Sequence, residues 1–278
     1  MASRITPLLA IVLAPGMLAA DEARDPGRFM PAREVPDLTQ TDPAGNFPMG
    51  GRYHCGPVAV SNSLWAIFGD DLQWEGVSQY DLANRLGSLG YMNTRKRTGT
   101  RVNPLMHGVQ RFLRERGVRD YYLKFQGYRE HERALSAGTH PPRLRWIQAA
   151  LARNGSVWLS VGWYKIDPAK DEYRRITGHW VTAVGYGAGR DGEAQPDVLA
   201  IHDPGPAAGT GPSRQFIRLT PLASGTLLGA SRGNACKANG IYRLGGDMYV
   251  KRGADCALLD GAAVLIIPPA APEVSSVP

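Results

Sequence analysis

Three residues have the side chains and the sequence context that nucleophilic catalysis requires. Cys55 begins Cys-Gly-Pro at the head of an apolar stretch, His179 opens His-Trp-Val-Thr-Ala-Val-Gly-Tyr, and Asp203 follows Val-Leu-Ala-Ile-His. A thiolate attacks carbonyl carbon, an imidazole takes and returns the proton, and a carboxylate holds the imidazole in the correct tautomer. The sequence therefore predicts a Cys–His–Asp site.

The apolar residues that follow Cys55 predict a helix that begins at this cysteine. Pro57 fits the first turn, where its missing N–H costs nothing, and Gly69 is the expected end. The unpaired N–H groups and the dipole at a helix start favour a thiolate. The predicted buried stripe is made up of Val60, Leu64, Ile67 and Phe68.

The remaining periodicity predicts helices first and strands afterwards. Helical spacing recurs at 77–86, 104–116 and 143–154. Runs rich in β-branched residues lie at 156–163, 179–186, 198–202, 215–219 and 262–267. This order predicts an α+β domain with a mostly antiparallel sheet. Neighbouring antiparallel strands would then bring His179 and Asp203 side by side.

The three motifs resemble those of papain-like cysteine peptidases, and are closest to the bacteriocin-processing (double-glycine leader) peptidases. The resemblance covers residues 46–268 as an architecture. It implies an N-terminal helical half and a C-terminal, mostly antiparallel β-sheet half with the active site between them. It also implies that Cys55 is the nucleophile, His179 the general base and acid, and Asp203 the orienting residue.

One position departs from that family. A glutamine usually precedes the cysteine by five or six residues and donates to the oxyanion, but Gly50 and Met49 stand there. Asn46 or the backbone N–H of Cys55 is the expected substitute, and Gln40 is the other amide upstream.

Two tryptophans and one histidine lie next to these motifs in the sequence. Trp180 and Trp163 are candidates for lining a substrate groove, although burial in the sheet is the commoner role of strand aromatics. His54 is expected at the surface.

The ends of the chain predict export. Arg4, a short apolar run and small residues before Asp21 are typical of a signal peptide over 1–20, with an uncleaved anchor as the alternative. Residues 21–45 are an expected extended lead-in, 46–268 the domain, and 269–278 a disordered tail. The mature protein is expected in the periplasm or secreted, without stable membrane insertion and with an oligomeric state that the sequence leaves open.

The cysteine count fits an oxidising compartment. Cys236 and Cys256 lie close together in a Gly-rich segment, and we expect them to form a disulfide, which leaves Cys55 as the free thiol.

The sequence favours neither a metal site nor a nucleic-acid partner. The formal net charge is +7, and basic residues concentrate between positions 95 and 119, but no nucleic-acid motif accompanies them. The sequence has neither CxxC nor HExxH, so no metal and no cofactor is expected.

The leading hypothesis is an exported cysteine hydrolase that cleaves peptide or amide bonds of a peptide or protein substrate through an acyl-enzyme. One alternative is a transpeptidase or transglutaminase-like acyl transferase. The other is a non-catalytic binding module of the same fold, which the missing glutamine favours.

Overall fold

Ten strands and four α-helices make up the part of the chain that the computed structural model describes, residues 34–94, 98–205, 214–229 and 235–268. The predicted signal peptide, the predicted tail and the basic residues 95–97 lie outside these ranges. Within them no helix has both the length and the apolar character needed to span a bilayer.

The helices are short except for the first. They are α1 (Cys55–Trp74), α2 (Gln79–Gly87), α3 (Val102–Glu115) and α4 (Leu144–Ala152). Three 3₁₀ helices lie at Pro43–Gly45, Pro48–Gly51 and Arg133–Leu135. The strands are β1 (Tyr122–Gly127), β2 (Ser136–Gly138), β3 (Ser156–Asp167), β4 (Glu172–Ala188), β5 (Ala194–His202), β6 (Gln215–Pro221), β7 (Thr226–Leu228), β8 (Cys236–Lys237), β9 (Tyr242–Gly246) and β10 (Cys256–Ile266).

Six of the strands close into a barrel in the order β3-β4-β5-β6-β9-β10, and β10 pairs back with β3. Every neighbouring pair in this ring is antiparallel. Outside the ring, β1 adds to β10 and β2 adds to β1, while β7 and β8 extend from the first residues of β4.

The barrel interior is filled because alternate residues of each strand are apolar. One buried cluster receives side chains from all six barrel strands, and α4 packs against the same cluster. Its members include Val157, Leu159, Val161, Val181, Leu199, Ile217, Leu244 and Leu259.

A second core lies between the outer surface of the barrel and the helices α1 to α3. The Thr182 hydroxyl on β4 donates to the Ala59 carbonyl on α1 at 2.7 Å, and the Trp158 indole donates to Ser63 at 3.2 Å. These contacts hold α1 against the strands that carry the site. The helix continues to Trp74, so the predicted end at Gly69 is wrong.

The predicted architecture of a helical half facing a sheet half is wrong. The predicted helices and strands overlap observed ones, but β1 and β2 interrupt the segment that was expected to be helical. The last strand, β10, pairs with β1, β3 and β9, which wraps the sheet into the closed barrel. The helices therefore pack on a barrel. The sequence did not predict the barrel, because the hydrophobic period identifies a strand but not its distant pairing partner.

The predicted disulfide between Cys236 and Cys256 is not formed, and both residues are free thiols. Cys236 belongs to β8, which pairs with β7, whereas Cys256 begins β10 and is opposite Tyr164 of β3. An apolar cluster that includes Tyr164, Leu227 and Leu258 holds this region in place of a cross-link. Burial raises the pKa of Cys236, and it raises that of Cys256 to about 11.

Candidate active site

Cys55 is the first residue of α1, and it is only 9% exposed. The N-cap residue His54 makes no side-chain capping bond, and the first N–H groups of a helix have no intrahelical acceptor. Gly56 lets the chain approach Thr100 closely, since an added Cβ would lie 2.9 Å from the Thr100 Cβ. The start of α1 therefore presents a sulfur beside backbone N–H donors.

His179 and Asp203 meet because β4 and β5 are antiparallel neighbours, with Thr182 opposite His202. His179 Nε2 and Asp203 Oδ1 are 2.5 Å apart, and the two residues are 7% and 2% exposed. The same carboxylate oxygen accepts the Gly205 N–H at 2.8 Å. The carboxylate is thus fixed by two donors and can hold the ring.

The structure also brings Cys55 close enough to His179 for the sulfur to contribute to the raised pKa of the imidazole. Since Asp203 engages Nε2, the ring nitrogen left for the sulfur is Nδ1. The three residues predicted from the sequence therefore lie together, with the imidazole of His179 hydrogen-bonded to Asp203 and close to the sulfur of Cys55.

The opposite charges of His179 and Asp203 stabilise each other. Burial alone would lower the pKa of His179, but the charge and hydrogen bond of Asp203, together with Cys55, outweigh it and raise this pKa to about 10. Burial would raise the pKa of Asp203, yet the imidazolium and the Gly205 N–H hold this pKa below its usual range. His179 therefore keeps its proton at neutral pH.

Trp163 and Trp180 are both buried, which is the alternative that the sequence left open for them. The Trp163 ring stacks on the His179 ring at a centroid distance of 5.2 Å and an angle of 19°, and its indole N–H donates to Tyr249. The Trp180 indole N–H donates to the Thr100 carbonyl at 2.9 Å. One tryptophan backs the imidazole and the other holds Thr100 against the start of α1.

The two upstream amides occupy different environments. Asn46 is exposed and ends the 3₁₀ helix Pro43–Gly45 with a φ of 44°. Gln40 is 8% exposed, and its Nε2 donates at 2.9 Å to the Gly51 carbonyl, which also accepts the His54 N–H. The Gln40 side chain thus lies beside the start of α1.

Gly51 makes that approach possible. Its φ is 75°, and an added Cβ would lie 1.5 Å from the Gln40 carbonyl oxygen, so a larger residue would displace the Gln40 backbone. The sequence did not indicate Gln40, because its spacing from Cys55 does not show that the two intervening 3₁₀ helices fold it back to the start of α1.

The lead-in is part of the domain over its described residues, 34–45. The Leu38 N–H donates to Asn62 on α1, the Thr39 hydroxyl donates to Gly205, and the Gln40 N–H donates to Pro204. The segment therefore ties α1 to the turn that follows Asp203.

His54 was expected at the surface, and this is wrong. The residue is buried, and its ring stacks on Phe47 at 5.3 Å. Phe47, which lies between the two 3₁₀ helices, therefore packs on the histidine that precedes Cys55.

We expect the His179–Asp203 ion pair to make the free energy of unfolding depend on pH. The His179 contribution is complete below pH 6.5 and is lost as the pH rises through about 10. The Asp203 contribution is complete above pH 3.8 and is lost as the pH falls through its lowered pKa. We expect the difference in unfolding free energy between the wild type and Asp203→Asn to be largest between pH 3.8 and 6.5.

Urea denaturation across pH 3 to 10 measures this difference. Asp197→Asn is the matched control, because Asp197 pairs with Arg218 at an exposed position and should give a small difference that changes little with pH. An Asp203→Asn difference that stays constant from pH 4 to pH 10 would contradict the ion pair.

Across the described ranges, no group of three or more His, Cys, Asp or Glu side chains is arranged to hold a metal ion. Comparisons of the chain with protein-family models, with curated proteins and with solved structures found no match. The chemistry of the site is therefore inferred from the geometry of Cys55, His179 and Asp203.

Proposed function

We propose that the protein is a cysteine hydrolase that cleaves a peptide or amide bond through an acyl-enzyme on Cys55. The observation that carries this proposal is that Cys55, at the start of a helix, lies close to the imidazole of His179, which is hydrogen-bonded to the buried Asp203. A structural cysteine needs neither an imidazole partner nor a carboxylate behind it.

Acylation uses the proton that His179 holds. The Cys55 thiolate attacks the carbonyl carbon, the C–N bond breaks, and the imidazolium Nδ1 gives its proton to the leaving amine. The product is a thioester, and His179 is left neutral, with Asp203 fixing its orientation.

Deacylation reverses the role of the ring. Neutral Nδ1 takes a proton from water, the hydroxide adds to the thioester carbonyl, and the C–S bond breaks. The acid is released, and the thiolate–imidazolium pair is restored. Both half-reactions use only this protein's own side chains and water.

The negative oxygen that forms at the carbonyl needs donors. We assign the backbone N–H of Cys55 as one, since it lies at the uncapped start of α1. We assign the second N–H on Gln40 Nε2 as the other, because its first is directed at Gly51 beside the same helix start. Gln40 would thus take the role that the sequence suggested for Asn46.

The motifs also support a relationship to papain-like cysteine peptidases of the bacteriocin-processing type, at the level of catalytic residues. The barrel architecture is not part of this relationship. An exported, periplasmic or secreted protein remains our proposal on the strength of residues 1–20.

Labelling with an electrophilic thiol probe tests the nucleophile. We expect mass spectrometry of the digested protein to find the adduct on Cys55, because burial raises the pKa of Cys236 and of Cys256 and keeps both as thiols. Cys256→Ser should be labelled like the wild type. Labelling that persists in Cys55→Ser would end the assignment, and products containing an added amine would indicate transfer instead of hydrolysis.

A further inference from the structure

Three largely buried polar side chains that the proposed mechanism does not use meet across the strands β3, β4 and β10. Arg175 Nε on β4 donates to Asp260 Oδ2 on β10 at 2.7 Å, and the Tyr164 hydroxyl on β3 donates to Asp260 Oδ1 at 2.6 Å. The Arg175 side chain is 14% exposed and that of Asp260 is 1% exposed. Each oxygen of the carboxylate is therefore held by a different strand of the barrel.

The two donors of this cluster keep their protons at neutral pH. Burial would lower the pKa of Arg175, but Asp260 and Tyr164 outweigh burial and raise it. Burial and the charge of Asp260 together raise the pKa of Tyr164 well above its usual range. The Arg175–Asp260–Tyr164 cluster is therefore a permanent link between the three strands.

The guanidinium lies directly against the residue that precedes the general base. A Cβ added to Gly178 would lie 2.1 Å from Arg175 Nη2. A Cβ on Gly162, which is opposite Gly178 in the β3–β4 ladder, would lie 2.6 Å from Asp260 Oδ1. The cluster thus fills the space beside two facing glycines, and His179 belongs to the next pair of the same ladder.

The ladders of backbone hydrogen bonds are irregular at the same place. Between β3 and β4 the register shifts next to Tyr164, which is opposite Arg175. Between β10 and β3 the register shifts at Asp260. Such a shift interrupts the ladder and bends the strand. The side-chain bonds of the cluster therefore hold β4 where its own ladder is interrupted, a few residues before His179.

We propose that Arg175 is a positioning residue for His179, and that its cluster with Asp260 and Tyr164 holds the β4 backbone where the imidazole reaches Cys55. Successive residues of a strand point to opposite faces, so the cluster acts on His179 through the backbone. Apolar side chains of similar volume are often as stabilising as a buried ion pair, so stability alone does not account for this cluster. The inference rests on the proposed cysteine hydrolase and adds the residues that position its general base.

Gly178→Ala tests the contact between the guanidinium and the strand, because its methyl group would displace Arg175 Nη2. We expect Gly178→Ala and Arg175→Met each to slow the alkylation of Cys55 by iodoacetamide at pH 6 by about tenfold, since a displaced imidazolium no longer lies beside the sulfur. The double variant should be no slower than the slower single variant, because both changes remove the same contact. The rates are read from adduct mass below the unfolding temperature of each variant.

Arg174→Met is the matched control, because Arg174 is the neighbouring arginine on β4, and its side chain is 70% exposed and pairs with Glu172. A second readout is the proton NMR signal of the N–H that His179 shares with Asp203. Its chemical shift follows the geometry of that hydrogen bond, so a displaced imidazole moves the signal, whereas a lower unfolding temperature alone does not.

Tyr164→Phe continues the test if Arg175→Met leaves Asp260 unpaired and does not fold. It removes one hydrogen bond, keeps the ring, and should slow alkylation of Cys55 by about threefold.

Three outcomes would overturn the positioning role. Rapid alkylation in the wild type, with the rate and the N–H signal unchanged in Gly178→Ala and Tyr164→Phe, would remove it and leave the hydrolase. Losses that multiply in the double variant would show that Gly178 and Arg175 act independently, with the same consequence. A wild-type rate equal to that of an ordinary thiol would overturn the hydrolase and the positioning role together.

Discussion

Replacing His179 by alanine is expected to slow the alkylation of Cys55 by iodoacetamide at pH 6 by about a hundredfold. An ordinary thiol with a pKa of about 8.5 is only about 0.3% ionised at that pH. In the wild type, the proposed mechanism places the imidazolium that Asp203 holds in position beside the attacking sulfur, and a cationic partner speeds attack by a sulfur nucleophile. Hydrolysis of an amide substrate should fall by about 10²–10⁴-fold, because the same ring gives the leaving amine its proton.

The measurement is the second-order rate constant at Cys55, read from adduct mass at timed points. His107→Ala is the matched histidine control, since His107 lies on α3 and pairs with Glu132 at the surface. A wild-type rate no faster than that of a free thiol, or a His179→Ala rate equal to the wild type, would remove the mechanism and favour a binding module.

Replacing Gln40 by methionine is expected to reduce kcat for amide hydrolysis by about 10²–10³-fold while Cys55 is alkylated at the wild-type rate. Methionine fills a similar volume but has no N–H to donate to a developing oxyanion. Alkylation by iodoacetamide builds no negative charge on a carbonyl oxygen, so it does not use that donor. The divergence of the two rates separates an oxyanion role from damage to the nucleophile.

Gln73→Met is the control for removal of an amide, because Gln73 is exposed near the end of α1. Thermal unfolding of Gln40→Met should show a folded protein, since the Leu38 N–H, the Thr39 hydroxyl and the Gln40 N–H can still make their hydrogen bonds. A kcat loss confined to Asn46→Ala would favour the residue that the sequence suggested. An equal loss of hydrolysis and alkylation in Gln40→Met would indicate a structural role for Gln40.

The three residues of the candidate site could be selected from the sequence because their signals are local. A cysteine before Gly-Pro at a helix start, a histidine opening an apolar strand and an aspartate closing the next strand are each recognisable within a few residues. Antiparallel pairing of consecutive strands is a short-range event, so the meeting of His179 with Asp203 also follows from local order.

The position of Gln40 beside the start of α1 and the contacts of the tryptophans could not be predicted in this way. Gln40 reaches the start of α1 only because two 3₁₀ helices and the left-handed conformation of Gly51 fold the intervening chain. Trp163 stacks on His179 because β3 and β4 pair in one particular register. Neither contact has a counterpart in residue spacing.

The sequence by itself determined the approximate positions of most helices and strands and selected Cys55, His179 and Asp203 as the candidate site, because hydrophobic period and turn residues act over a few neighbours. The tertiary structure alone decided that β10 joins β1, β3 and β9 and closes the sheet. It also decided that Cys236 and Cys256 stay thiols. These outcomes depend on pairings between residues far apart in the chain, whose free energy is gained only when the whole barrel forms.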